Sequence, residues 1–153
     1  AISNCRFSEN ADNENFLVCV QDAAAAASDR ITIEGCHAIQ DDAANTHFVN
    51  FAGTGTGHIV SGNTLIGDWG TMAVGGAGVV TFAKITDNMI FNIAATNDAC
   101  VNFAATATGV CMRNFCGGGA AQANGILATG MAKVENYYTD LSDASGILDP
   151  IAT

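Results

Sequence analysis

Residues 49–63 read VNFAGTGTGHIVSGN, and residues 101–114 read VNFAATATGVCMRN. Phe51 and Phe103 stand 52 residues apart and Asn63 and Asn114 stand 51 apart, so a whole unit with its turn chemistry is written twice. A fixed period decides the architecture before any local motif does, because stacked repeats bury a core that no single repeat can bury.

A shorter period lies inside this echo. An asparagine follows a β-branched or apolar residue in Ile2-Ser-Asn4, Val60-Ser-Gly-Asn63, Ile85-Thr-Asp-Asn88, Met112-Arg-Asn114 and Val134-Glu-Asn136, with Ile33-Glu-Gly-Cys36 filling the gap. Between these lie Phe16–Val20, Phe48–Phe51, Met72–Val74, Cys100–Phe103, Gly125–Leu127 and Gly146–Leu148. The segments are short, rich in Val, Ile and Phe, and bounded by Gly, Asn, Asp, Ser and Thr, which is the pattern of strands and turns. They predict an all-β chain, a single right-handed parallel β-helix of about five or six coils, with the hand following from the chirality of parallel crossovers.

The coils are expected over residues 1–132, with a terminal cap and extended arm over 133–153. Val49, Phe51, Val101 and Phe103 are expected to point inward at equivalent places two coils apart. An asparagine at a tight bend tolerates left-handed geometry, and its amide can bond the asparagine of the next coil, so a file of them satisfies itself. Three units place the apolar residue three before the Asn or Cys36 and three place it two before, which leaves the phase of this ladder open. The five alanines at 23–27 fit either one helical turn or a small-residue connection.

Composition narrows the partners. The net charge is −10 with five Lys and Arg in all, so no phosphate-neutralising surface is present and nucleic acid is excluded first. No apolar run approaches the roughly 18–20 residues that cross a bilayer, and no membrane partner is expected. The chain starts at Ala1 without a visible secretory signal. Its six cysteines (5, 19, 36, 100, 111, 116) read as free, mostly buried thiols, since a chain of this length and apolar content needs no disulfide framework. A rod end with unpaired strand edges must be covered, which predicts another domain, chain or removed segment over the N-terminal coil.

The segments ITDNMIF, IVSGNTLIG and CVNFAATATG, with the ending SDASGILDPIAT, resemble those of right-handed parallel β-helix structural proteins of tailed bacteriophages, of the head-decoration, fibre and spike types. The resemblance implies a non-enzymatic virion protein assembled in the host cytoplasm, with capsid decoration or cement as the expected role. It implies a homo-oligomer, commonly a trimer, in contact with the major capsid protein or another virion protein. The alternative it leaves is a tail fibre or tailspike fragment that binds or cleaves host surface polysaccharide. Ile147, Leu148, Pro150 and Ile151 would dock on a neighbouring subunit, because apolar side chains after a polar turn otherwise stay wet, and Trp69 reads as a subunit contact.

Chemistry is sparse. GGGAAQANG (117–125) lacks the Lys-Ser/Thr of a phosphate loop. Cys111 and Cys116, with His37, His47 and His58, have no second pair at a ligand spacing, so no metal and no cofactor is expected. Glycoside cleavage needs two carboxylates flanking a groove; Asp41, Asp42, Asp68, Asp87 and Asp98 are candidates, with Trp69 as a stacking platform, but they fall on separate turns. Thr54, Thr56, Thr106 and Thr108 hint at an ice-binding array that other coils do not continue. No G-x-S-x-G elbow occurs.

Overall fold

Short apolar strands separated by residues that turn easily leave each strand dependent on the equivalent strand of the next repeat for its backbone hydrogen bonds. The computed structural model meets this need with parallel pairing throughout the rod. It describes residues 1–8, 18–22, 27–40, 47–70, 72–93, 99–118, 125–140 and 149–150, and among them no helix occurs.

The chain winds through four faces, A to D. The first pass contributes β1 (Ile2–Ser3), β2 (Arg6–Ser8), β3 (Val18–Gln21) and β4 (Ala27–Asp29). The next contributes β5 (Thr32–Glu34), β6 (His37–Gln40), β7 (His47–Asn50) and β8 (Thr54–Thr56), and the one after it β9 (Ile59–Ser61), β10 (Thr64–Gly67), β11 (Met72–Gly76) and β12 (Val80–Thr81). Later passes have no described strand on face D: β13 (Ala83–Thr86), β14 (Met89–Asn92) and β15 (Ala99–Phe103) are followed by β16 (Gly109–Met112), β17 (Phe115–Gly118) and β18 (Ile126–Leu127). β19 (Met131–Val134) and β20 (Tyr137–Asp140) finish the parallel winding, beyond the residue 132 at which the coils were expected to end. β21 (Asp149–Pro150) then folds back antiparallel on β20. The winding is a parallel β-solenoid of about four turns, slightly fewer than the five or six expected, because passes at the ends and along face D are incomplete.

The asparagine file is present and buried. Asn63 Oδ1 accepts the Cys36 N–H at 2.8 Å; Asn88 Oδ1 accepts both the N–H and the Nδ2–H of Asn63, at 3.0 and 2.9 Å. The pattern repeats from Asn88 to Asn114 and from Asn114 to Asn136. Each Nδ2 also donates to a carbonyl of the preceding pass: Ile33, Val60, Ile85 and Cys111 for Asn63, Asn88, Asn114 and Asn136. Interior amides are thus satisfied on both sides, as burial requires.

The structure fixes the phase. The left-handed residue is the one before the ladder position: Asn4, Gly35, Gly62, Asp87, Arg113 and Glu135 all have φ between 52° and 63°. The ladder place in the first pass therefore falls at Cys5, while Asn4 is the bend. The inward residue lies three before the ladder place in every pass, through the register Ile2, Ile33, Val60, Ile85, Cys111, Lys133. Met112 and Val134, the apolar residues nearest Asn114 and Asn136 in sequence, instead lie on the outward alternation.

Inside, a second file runs Val20, Val49, Val74, Val101, Ile126. Val49, Phe51, Val101 and Phe103 are all buried. Gly76 is paired with Phe103 and lies so close to Phe51 that a Cβ there would sit 2.0 Å from the Phe51 carbonyl oxygen. The Phe51 and Phe103 rings close over this glycine with centroids 6.1 Å apart, which is why the echo spans two passes and not one.

Phe82 is the exception among the bends. Its φ is +54° and its side chain is 76% exposed, so a bulky residue takes a conformation that costs an L-amino acid about 1–2 kcal/mol without burying its ring. Phe82→Asn is expected to raise stability by about 0.5–1 kcal/mol, read as a higher urea midpoint at unchanged slope. An unchanged or lower midpoint would show that the ring contributes a contact worth as much as the strain.

Candidate interaction surface

Face B carries the surface that stands out. On its inner side Phe7, Ala38, Leu65, Ile90, Cys116 and Tyr138 form one core file. The outer side is apolar as well. From β6 onward, one outward file runs His37, Thr64, Met89, Phe115, Tyr137, and its neighbour runs Ile39, Ile66, Phe91, Gly117, Thr139, with the exposed Arg6 and Ser8 of β2 ahead of them. Phe91 and Phe115 meet edge to face at 5.7 Å, and Phe91 lies over Gly117, where an added Cβ would touch its ring at 2.8 Å. Ile39, Met89 and Tyr137 remain 37–45% exposed. Strands such as TLIG and MIFN are apolar on both alternations, which in isolation reads as a strand buried on both sides. In a single solenoid one of those sides must look outward.

The bend between faces A and B carries charge. Arg113 Nε donates to Asp87 Oδ1 at 2.7 Å and Nη2 to Oδ2 at 2.9 Å, a bidentate pair across adjacent passes. The Arg113 guanidinium holds the Asp87 carboxyl below its ordinary range, the opposite of what a general acid needs. Asp41, Asp42 and Asp98 lie outside the described residues, and Asp68 offers its backbone carbonyl to Gln40 Nε2. No group of three or more His, Cys, Asp or Glu able to hold a metal comes together among the described residues.

Trp69, read from sequence as a subunit contact, has no exposed surface and packs edge-on to Phe48 at 6.3 Å inside the rod, so its ring belongs to this chain's own core. Pro150 pairs with Tyr137 of the same chain, placing the end of the described chain along the outer edge of face B's sheet. Ile147, Leu148 and Ile151 lie outside the described residues. Cys36, Cys100, Cys111 and Cys116 are buried free thiols; burial raises Cys111 to about 12, so it stays protonated and packs as a small apolar group. Of the threonines, Thr56 and Thr81 share a hydroxyl contact on the three-stranded face D.

His58 is fully buried and stacks on Phe51 at 4.5 Å with rings 5° from parallel. Its Nδ1 accepts the Ile31 N–H at 3.2 Å. Burial lowers its pKa, while Asp22 and Asp29 pull the other way. A folded value below the unfolded one means that this group's contribution is present above the unfolded pKa and lost as pH falls through the folded one. The thermal midpoint is therefore expected to drop between pH 7.5 and about 5, and to drop less steeply in His58→Phe, whatever that variant's stability at neutral pH. Equal slopes would remove His58 from the acid response.

Comparison with protein-family models, with curated protein sequences and with solved structures finds no match to this chain.

Proposed function

We propose that this chain is a non-enzymatic structural component of a tailed-phage particle, a capsid decoration or cement protein that holds its place among neighbouring subunits. The observation that carries the reading is a rod made rigid by a continuous buried amide ladder and presenting, from β6 to β20, an uncharged, largely apolar strip on a chain of net charge −10. Such a molecule resists bending, stays soluble and offers one surface suited to protein contact. The motif resemblance to phage β-helix proteins supplies the particle, and the major capsid protein is the neighbour it implies.

The test is electron microscopy of native particles with a gold-labelled antibody raised against the chain. Label spread over the head is the expected result. Label at the tail tip would transfer the chain to host adhesion, and particles free of label would overturn the virion role. Release of oligosaccharide from host surface polysaccharide by the purified chain would overturn the non-enzymatic part.

A further inference from the structure

We propose that the outer surface of face B is where copies of this chain meet one another. The inference deepens the structural role proposed above by naming its surface, and its test in solution does not depend on the particle.

Three observations converge on a second copy as the occupant. The outward positions of β6, β10, β14, β17 and β20 hold no Asp, Glu, Lys or Arg, in a chain with 15 acidic residues against five basic ones, and the strip ends at β2, where Arg6 is the outward partner of His37. Glu34 and Lys84 are outward on face A and Asp29 is exposed on face D. Two copies at −10 each repel, and contact through an uncharged strip keeps the carboxylates of both in water, where salt screens them. A basic partner would gain nothing from this strip and would be drawn to the acidic surfaces instead.

Shape agrees with charge. Ile39, Ile66, Met89, Phe91, Phe115 and Tyr137 stand in two files at the rung spacing of about 4.8 Å, and a second copy brings the same two files at the same spacing. Self-complementarity of one patch is what an isologous contact between identical chains requires. The edge is closed to strand addition at one end, because β21 occupies the free side of β20; association therefore proceeds face to face. Five rungs of four residues make a strip of only about 19 by 13 Å, which places the contact in the weak, concentration-dependent class.

Sedimentation velocity over roughly 10 μM to 1 mM, the range suited to an interface of this size, tests the proposal on the chain as it stands. The expected result is reversible self-association that weakens at least tenfold in Ile39→Glu/Met89→Glu. Val79→Glu, the same charge change at a residue 46% exposed beside face D, should leave it unchanged. Both substitutions fall on outward side chains, and circular dichroism confirms that the variants keep their strands. A monomer at every concentration overturns the proposal, as does an assembly that Ile39→Glu/Met89→Glu leaves intact. A monomer whose binding to particles is lost in the same variant assigns the face to a different protein and equally overturns it, while leaving the virion role standing.

Discussion

Replacing Asn88 with leucine is expected to destabilise the chain by about 3–5 kcal/mol, since each buried polar group stripped of its partner costs roughly 1–3 kcal/mol. Asn88 sits in the middle of the ladder. Its Oδ1 accepts two donors from Asn63, and its Nδ2 donates to the Val60 carbonyl and to Asn114 Oδ1. Leucine removes all of these and offers nothing in return, so Asn63 is left with two buried donors and Val60 with a carbonyl. Asn88→Asp has nearly the same shape and isolates the hydrogen bonding: at neutral pH it sets a second acceptor oxygen against two acceptors. Urea denaturation of both variants measures the loss, and a midpoint shift under 1 kcal/mol in either would show that the ladder is decorative. The converse change at the other end is favourable. Cys36 occupies a ladder place but contributes only its N–H to Asn63, and Cys36→Asn would give that oxygen a second donor, an expected gain of about 1 kcal/mol.

Gly76→Ala is expected to prevent the native packing altogether. The added carbon would lie 2.0 Å from the Phe51 carbonyl oxygen and 2.6 Å from its carbon, both backbone atoms held by β7 and its neighbours. No side chain can swing away to make room. Relief requires parting two passes of the solenoid, which breaks parallel pairing and opens the Phe51–Phe103 stack, a cost above about 4 kcal/mol. Soluble yield and the far-ultraviolet spectrum of the variant read the outcome; a folded protein with the parent's urea midpoint would refute the tight approach at this residue.

Much of this was visible in the residues. The period was legible because asparagine, glycine and β-branched residues recur together, and the inward places of Val49, Phe51, Val101 and Phe103 followed from the echo. The phase was not, and the reason is local. Where Met112 and Val134 stand next to the bend they look like core residues, yet the left-handed residue before each ladder asparagine shifts the inward place back to Cys111 and Lys133. A lysine in an otherwise apolar file defeats any reading based on hydrophobicity. Trp69 misled for the opposite reason: an aromatic flanked by Gly and Asp in IGDWG resembles an exposed platform, but the chain turns it in against Phe48. The outer face of B was hidden because apolar residues on both alternations carry no label saying which side meets solvent.

From the start of face A to the end of face B the register runs without slippage through five blocks of equal length, 32–40, 59–67, 84–92, 110–118 and 132–140. The stretches joining them vary from 13 to 18 residues. Equal blocks make the passes geometrically spliceable: joining any ladder residue to its equivalent one pass further on would leave the amide file continuous, and growth or loss of the rod could proceed by whole cassettes. Phe51, Gly76 and Phe103 limit this freedom. Excising the Gly76 cassette would bring two phenyl rings to adjacent rungs where one ring now rests against a bare backbone. The middle of the rod is thereby fixed as a trio, while its ends stay free to change in length.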